Sequence, residues 1–231
     1  MKEGVPKTIT ENSTLAYWHE NSEQQAKQFG NTIDAHDYLN PVVFRLTQQY
    51  IVNLFEGREQ LRILDVGCGN GLFTKPLNDK NQVYGIDVST SMLSLARQNG
   101  TVSIRSLAET LPFKDSSFDG AVSNEMFQCV ENGDAITREM ARVLRPGGIL
   151  AIQTLNDSSI IRRFHRCFDK ESKALKMYKV DDVMKFMDLP DLESPRVIYN
   201  YYPFRHASKQ RENGLFGNLL ATSFAVVSRK K

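Results

Sequence analysis

The chain has 231 residues, enough for one α/β domain with extra helix and tight for two full domains. Apolar residues make up 41 % and charged residues 24 %, so a sizeable core is affordable and disorder is expected only at the ends. A net charge of +2 excludes the broad basic face that holds duplex nucleic acid, and no apolar run approaches the ~18–20 residues of a membrane span.

Residues 1–14 are polar and are expected to be loose. They lack the apolar stretch of a signal peptide, and Cys68, Cys129 and Cys167 form no Cys-x-x-Cys pair. A reducing cytoplasm and no metal site are therefore expected. From Leu15 to Ile33 the pattern suggests a short helix or cap carrying Tyr17 and Trp18. Leu39, Val42, Val43, Leu46, Tyr50, Leu54 and Phe55 then recur at helical spacing.

A short apolar run, Leu61–Val66, predicts a strand ending in glycines, and a helix is expected over Leu72–Asn78. Gln82–Asp87 reads as a second strand. Ser89–Asn99 reads as a helix with Ser89 as N-cap and Gly100 past its end. Strands follow at Thr101–Arg105 and Phe118–Ser123, a helix at Asp134–Leu144, a turn at Arg145-Pro146-Gly147-Gly148, and a strand at Ile149–Leu155. This alternation predicts βαβ units around a parallel sheet with helices on both faces. Beyond Leu155, Ser158–Phe168 and Val180–Met187 look helical. Arg196–Phe204 and Leu219–Ser228 look like two final strands, joined by a polar loop, Arg205–Asn218.

The most informative stretch is Asp65-Val66-Gly67-Cys68-Gly69-Asn70-Gly71. Glycines at a strand's carboxyl end let a ligand approach bare backbone and permit positive φ. The next strand ends in Asp87, whose carboxylate can accept both hydroxyl hydrogens of a ribose. A dinucleotide loop wants a third glycine where Leu72 stands, which disfavours a nicotinamide-dependent oxidoreductase. S-adenosylmethionine has no phosphate, and Asp65 is an acid suited to the ammonium of its aminoacyl end.

Taken with VYGID, SLAETLPFKDSSFD and RVLRPGGIL, the ILDVGCGNG loop resembles the class I S-adenosylmethionine-dependent methyltransferases, nearest the type 11 group. The resemblance covers about residues 60–156. It implies a three-layer, Rossmann-like, seven-stranded and mostly parallel sheet with an antiparallel last strand. Residues 1–56 would form an N-terminal helical cap or lid of the same domain. Residues 57–231 would form the methyltransferase domain, with substrate-facing insertions near 157–190 and 205–218. Gly67, Cys68, Gly69 and Gly71 would underlie the aminoacyl chain, Asp87 the ribose, and Val88 and Met92 the adenosyl group. Ala108 and Glu109 would sit at the adenine edge, although Leu107 stands where the family usually has an acid. Asn124 and Phe127, at and after the fourth strand, would lie near the methionine part.

Methyl transfer from a sulfonium needs alignment more than acid–base help, so a dedicated catalytic residue is optional. Weak candidates for a base are His19, His36, His165 and Glu125, with His206 beside them, and Glu125 is expected to be a solvated carboxylate. Tyr17, Trp18, Tyr38, Tyr199, Tyr201 and Tyr202 offer ring faces to a sulfonium, with ordinary packing the commoner role. Arg162-Arg163-Phe164-His165-Arg166 reads first as a solvated helix face. The expected partner is a small-molecule acceptor with an oxygen, nitrogen or carbon nucleophile. The alternative is a non-catalytic S-adenosylmethionine-binding protein of the same fold. The Asn-Pro-Pro-Tyr type of signature is absent at Ser123-Asn124-Glu125-Met126, which lowers the odds of amide methylation.

Overall fold

A computed structural model describes residues 13–30, 41–160, 176–201, 210–212 and 221–231. The central strand is β1 (Arg62–Val66), with β2 (Gln82–Asp87) and β4 (Phe118–Asn124) parallel to it on either side. Ile63, Leu64 and Val66 are sealed on both faces, which is why the run is continuously apolar rather than alternating. Outward from β2 lies β3 (Val102–Arg105), and outward from β4 lies β5 (Leu144–Leu155), both parallel.

Three further strands complete the sheet: β6 (Arg196–Tyr201), β7 (Gln210–Glu212) and β8 (Ala221–Arg229). The order is β3-β2-β1-β4-β5-β8-β6-β7. Seven of these strands make the expected mostly parallel sheet, with β8 antiparallel to both β5 and β6. The eighth, β7, is a three-residue edge strand inside the stretch expected to be a plain loop. It forms because Gln210–Glu212 can pair with the outer edge of β6.

Two apolar layers sandwich the sheet. On one face α4 (Gly133–Val143) and α5 (Val180–Phe186) bury Ile136, Met140, Val143 and Val183 with Phe118 and Leu144. On the other, α2 (Pro41–Asn53) and the residues after it bury Phe44, Tyr50, Ile51 and Phe55 against Ile63, Val83 and Ala225. Thus α2 is part of the core. α1 (Ser13–Phe29) packs across α3 (Thr90–Gln98) instead. Ser89 caps α3 as expected, its hydroxyl accepting the Met92 N–H at 3.1 Å.

Two local expectations are corrected. The segment 72–78 is a set of turns closing in a 3-10 helix, Lys75–Asp79, with Pro76 in its first turn. Proline contributes no N–H there, and Asn70 Oδ1 has already taken the Leu72 N–H at 3.3 Å. Arg145–Gly148 lies within β5 rather than in a separate turn. Phe118 pairs with Leu144 and Gly120 with Ile149, so β5 bulges out by the difference. Of the helix expected at Ser158–Phe168, residues 161–168 lie outside the described residues.

Candidate cofactor and methyl-transfer site

The strand order reverses between β1 and β4, so the crevice of this open sheet opens at their carboxyl ends. Register brings the key residues to that edge. Val66 pairs with Ile86, and Asp65 pairs with Val122, so the ends of β1, β2 and β4 lie side by side. Gly67 N–H and Cys68 N–H both donate to Ile86 O at 2.9 Å, folding the glycine loop back over β2.

The three loop glycines all have positive φ, but they face different surroundings. A Cβ on Gly67 would stand 2.3 Å from Met126 Cγ. On Gly71 it would meet Thr101 and Ala96. On Gly69 it would meet nothing within 4 Å. Gly69 is therefore the bare backbone of the cleft, and the other two are packing positions. Cys68 turns its thiol away from the cleft, against Gly85, in a small cluster with Leu93 and Ala96. Burial, with help from Asp87 and Asp65, pushes that thiol well above its usual range.

Asp87 closes the loop from the other side. Its Oδ2 accepts Gly69 N–H and its Oδ1 accepts Ser89 N–H, each at 2.9 Å. Burial raises its pKa, the backbone N–H groups of Ser89, Gly69 and Val88 oppose the rise, and nearby Glu23 adds to it. Each carboxylate oxygen can accept a second bond, so these contacts leave room for two hydroxyl donors. Val88 borders it, partly exposed, with its carbonyl held by Arg105 Nε at 3.0 Å, while Met92 is buried in the first turn of α3.

The loop bearing Ala108 and Glu109, both partly exposed, begins where Ser106 N–H donates to Asp87 O at 3.2 Å. Arg142 on α4 clamps its far end through Leu111 O at 3.2 Å and Phe113 O at 2.9 Å. Glu139 accepts Leu111 N–H at 2.8 Å.

Asp65 lies under the loop, only 2 % exposed, and accepts the Thr74 hydroxyl at 2.7 Å. Burial lifts its pKa to about 7 against that bond, with Asp87 adding to the rise. The unfolded carboxyl titrates near 4. The folded state therefore holds its proton more tightly than the unfolded state, so this group costs stability as pH rises from about 4 to 7 and keeps that cost above 7. Asp65→Asn keeps an acceptor for Thr74 without the charge. The ligand-free variant should melt above the parent at pH 8, by on the order of 2–4 kcal/mol, with the gap closing toward pH 4–5. Melting curves that stay parallel across that range would refute this.

At the end of β4, Asn124 is 6 % exposed, and neither its Nδ2 nor its Oδ1 has a hydrogen-bond partner among the described residues. A buried amide with both ends unmet costs roughly 1–3 kcal/mol per group unless something binds it. Glu125, expected to be solvated, is also only 6 % exposed and sits at φ +56°, a conformation costing about 1–3 kcal/mol in a non-glycine residue. It is buried because the 3-10 turn Phe127–Cys129 and the end of β5 close over it. Gln128 Nε2 donates to its Oε2 at 2.7 Å, and its own N–H donates to Gln153 O at 3.1 Å. Phe127 is fully buried, with its ring against Tyr178 and Gly133, in the core rather than on the cleft wall.

Sequence reasoning missed Glu23. On α1, this residue accepts the Ser89 hydroxyl at 2.8 Å and the Ser91 N–H at 3.1 Å, and also bonds the Ser91 hydroxyl. It pins the first helix beside Asp87. One acid in a polar helix carries no signal for that role. Thr74 and Met126 were missed for the same reason, since each acts through a partner distant in the chain or across a turn. His19 lies on α1, Tyr199 is buried in β6, and His36, His165, His206, Tyr38, Tyr202 and residues 162–166 lie outside the described residues.

The site fits S-adenosylmethionine: an open glycine backbone for an amino-acid tail, a buried acid for an ammonium, and a second acid for a diol. The methyltransferase domain family matches residues 64–152. An O-methyltransferase, rstn1, of Aspergillus nomiae is 33 % identical over 178 residues, covering 67 % of this chain and 79 % of that protein. The malonyl-[acyl-carrier protein] O-methyltransferase of Pectobacterium atrosepticum is 29 % identical over 61 % of this chain, and the match spans 56 % of that protein. A crystal structure of a SAM-dependent methyltransferase from Thermotoga maritima superposes with a TM-score of 0.74 at 20 % identity, covering 91 % of this chain and all of that one. Among the described residues, no helix is long and apolar enough to cross a membrane.

Proposed function

We propose that this chain, which belongs to the class I S-adenosylmethionine-dependent methyltransferases, is a working enzyme that methylates an oxygen of a small molecule. The observation that carries the reading is the cleft backbone at Gly69, left open between the carboxylates of Asp65 and Asp87. The cofactor supplies a methyl group on a positively charged sulfur, which leaves as a neutral thioether and needs no acid.

The protein's own residues bind and align. Asp87 holds the ribose diol through the free lone pairs of its two oxygens. Asp65 answers the ammonium, and in doing so recovers part of the cost of its burial. Gly69 carries the tail, while Gly67, packed against Met126, and Gly71, packed against Thr101 and Ala96, hold the loop around it. Val88 and Met92, with Ala108 and Glu109, flank the adenine. Arg142 and Glu139 keep that last loop in place. Orientation of this kind is worth roughly 7–11 kcal/mol in a displacement of two reactants. Matches to O-methyltransferases favour an oxygen acceptor, and a near-balanced net charge of +2 favours a small molecule over nucleic acid.

Calorimetry with S-adenosylmethionine and S-adenosylhomocysteine is the first test, and micromolar binding of both is expected. Transfer of labelled methyl to an acceptor in cell extract is the second. Tight binding with no transfer to any fraction would favour a non-catalytic binding protein of this fold instead.

A further inference from the structure

We infer that Glu23 is a positioning residue for the cofactor: from α1 it fixes, through Ser89, the Asp87 carboxylate that receives the ribose hydroxyls, a role that rests on the methyltransferase reading above.

Glu23, Ser89, Asp87 and Gly69 form one hydrogen-bonded chain at the carboxyl ends of β1 and β2. Glu23 Oε1 accepts the Ser89 hydroxyl at 2.8 Å. Ser89 N–H donates to Asp87 Oδ1 at 2.9 Å, and Asp87 Oδ2 accepts Gly69 N–H, also at 2.9 Å. The first link comes from a helix 66 positions earlier in the chain, and the last is the open backbone assigned to the amino-acid tail. Ser89 is fully buried between the two acids, while Asp87 and Glu23 each keep part of their surface.

The bonding of Ser89 makes it a stiff link. Its hydroxyl has one hydrogen, which goes to Glu23, and its oxygen accepts the Met92 N–H at 3.1 Å. Donor and acceptor are both committed, so the hydroxyl is held in one orientation. Glu23 also accepts the Ser91 N–H at 3.1 Å and bonds the Ser91 hydroxyl. These groups lie in the first turn of α3, where N–H groups lack partners within the helix and the dipole favours an acid. Glu23 thus ties the turn that opens with Ser89 against α1, and that turn carries the N–H that aims Asp87.

Aim matters because of what Asp87 has left to give. Each of its oxygens spends one lone pair on a backbone N–H, and each keeps one for the ribose. A diol needs both remaining directions correct at once, so a small rotation of the carboxylate weakens two bonds together. A binding group stays within the narrow productive range only when neighbouring hydrogen bonds lock its side chain. Glu23 supplies that lock from outside the β1–β2 region, without touching the ribose.

Two ligands separate this role from simple docking of α1. S-adenosylhomocysteine carries both ribose hydroxyls, and its 2′,3′-dideoxy analogue carries neither. In calorimetry the parent should bind the analogue at least about a hundredfold more weakly, since two bonds to a carboxylate are lost. Glu23→Ala should weaken S-adenosylhomocysteine by roughly three- to tenfold and leave the analogue within about twofold. Glu23→Gln keeps an acceptor for the Ser89 hydroxyl and should recover most of that loss. Ser89→Ala keeps the N–H to Asp87 but cuts the link, so it should match Glu23→Ala, and the double variant should lose no more than either alone. If Glu23→Ala weakens both ligands alike, Glu23 only docks α1, and that result overturns the inference. So does a Glu23→Ala protein in which neither affinity changes, or a double variant in which the two losses multiply. A parent that binds both ligands equally removes the ribose from Asp87, a failure of the earlier reading that is visible before any variant is made.

Discussion

Asp87→Ala should weaken S-adenosylhomocysteine binding by roughly 10²–10⁴-fold in calorimetry while leaving a folded protein. Hydrogen bonds to a charged group contribute about 1.5–3 kcal/mol each, and two ribose hydroxyls are lost at once. The same change frees Gly69 N–H and Ser89 N–H, which Asp87 holds. It also removes a charge whose burial is unfavourable, so the two effects on stability oppose each other. Asp87→Asn keeps one acceptor oxygen and should fall between parent and Ala. Retention of parent-like affinity in Asp87→Ala would remove the ribose from this end of β2.

The second large effect separates two glycines that look alike in sequence. Gly67→Ala places a methyl group 2.3 Å from Met126 Cγ, at φ +75°. The conformational cost is about 1–2 kcal/mol, and overpacking adds roughly 1–3 kcal/mol. For a domain of this size that lowers Tm by about 5–15 °C. Gly69→Asn should behave in the opposite way. Asparagine tolerates the left-handed region, and the space beside Gly69 is open, so Tm should fall by no more than about 3 °C. The new side chain occupies the ground assigned to the amino-acid tail, and S-adenosylhomocysteine affinity should drop at least ~100-fold. Parallel thermal melts and titrations read both. A Gly69→Asn variant that binds normally would show that the tail lies elsewhere.

The parts of the site carried by local chain geometry were legible. A glycine loop after β1, an acid ending β2 and a serine cap opening α3 are short-range devices, and residues 65–71, 87 and 89 stand where the pattern put them. What failed was decided by partners distant in the chain. Glu125 was expected to be solvated because a lone acid after a strand usually is, but the turn at Phe127–Cys129 and the end of β5 enclose it. Phe127 was open to either role, and its ring goes to the core because Gly133 and Tyr178 make a place for it. The glycine loop promised a full helix, and Pro76 with the Asn70 side chain cut it to a single 3-10 segment. Nothing local in Glu23 announces that it bonds two serines some 66 and 68 positions away.

The placement of β8 between β5 and β6 has a consequence for how the molecule is made. The half of the sheet bearing the cleft, β1 to β5, is assembled from neighbours joined by short crossovers and can form as the chain emerges. β6 has no seat beside β5 until residues 221–229 arrive, because β8 pairs along its length with both. Closure of the sheet therefore waits for the last strand to leave the ribosome, and its long-range pairing is the slow kind. A cut or fusion that intrudes on 221–229 would strip two strands of their partner at once, while the half bearing the cleft kept its own hydrogen bonds.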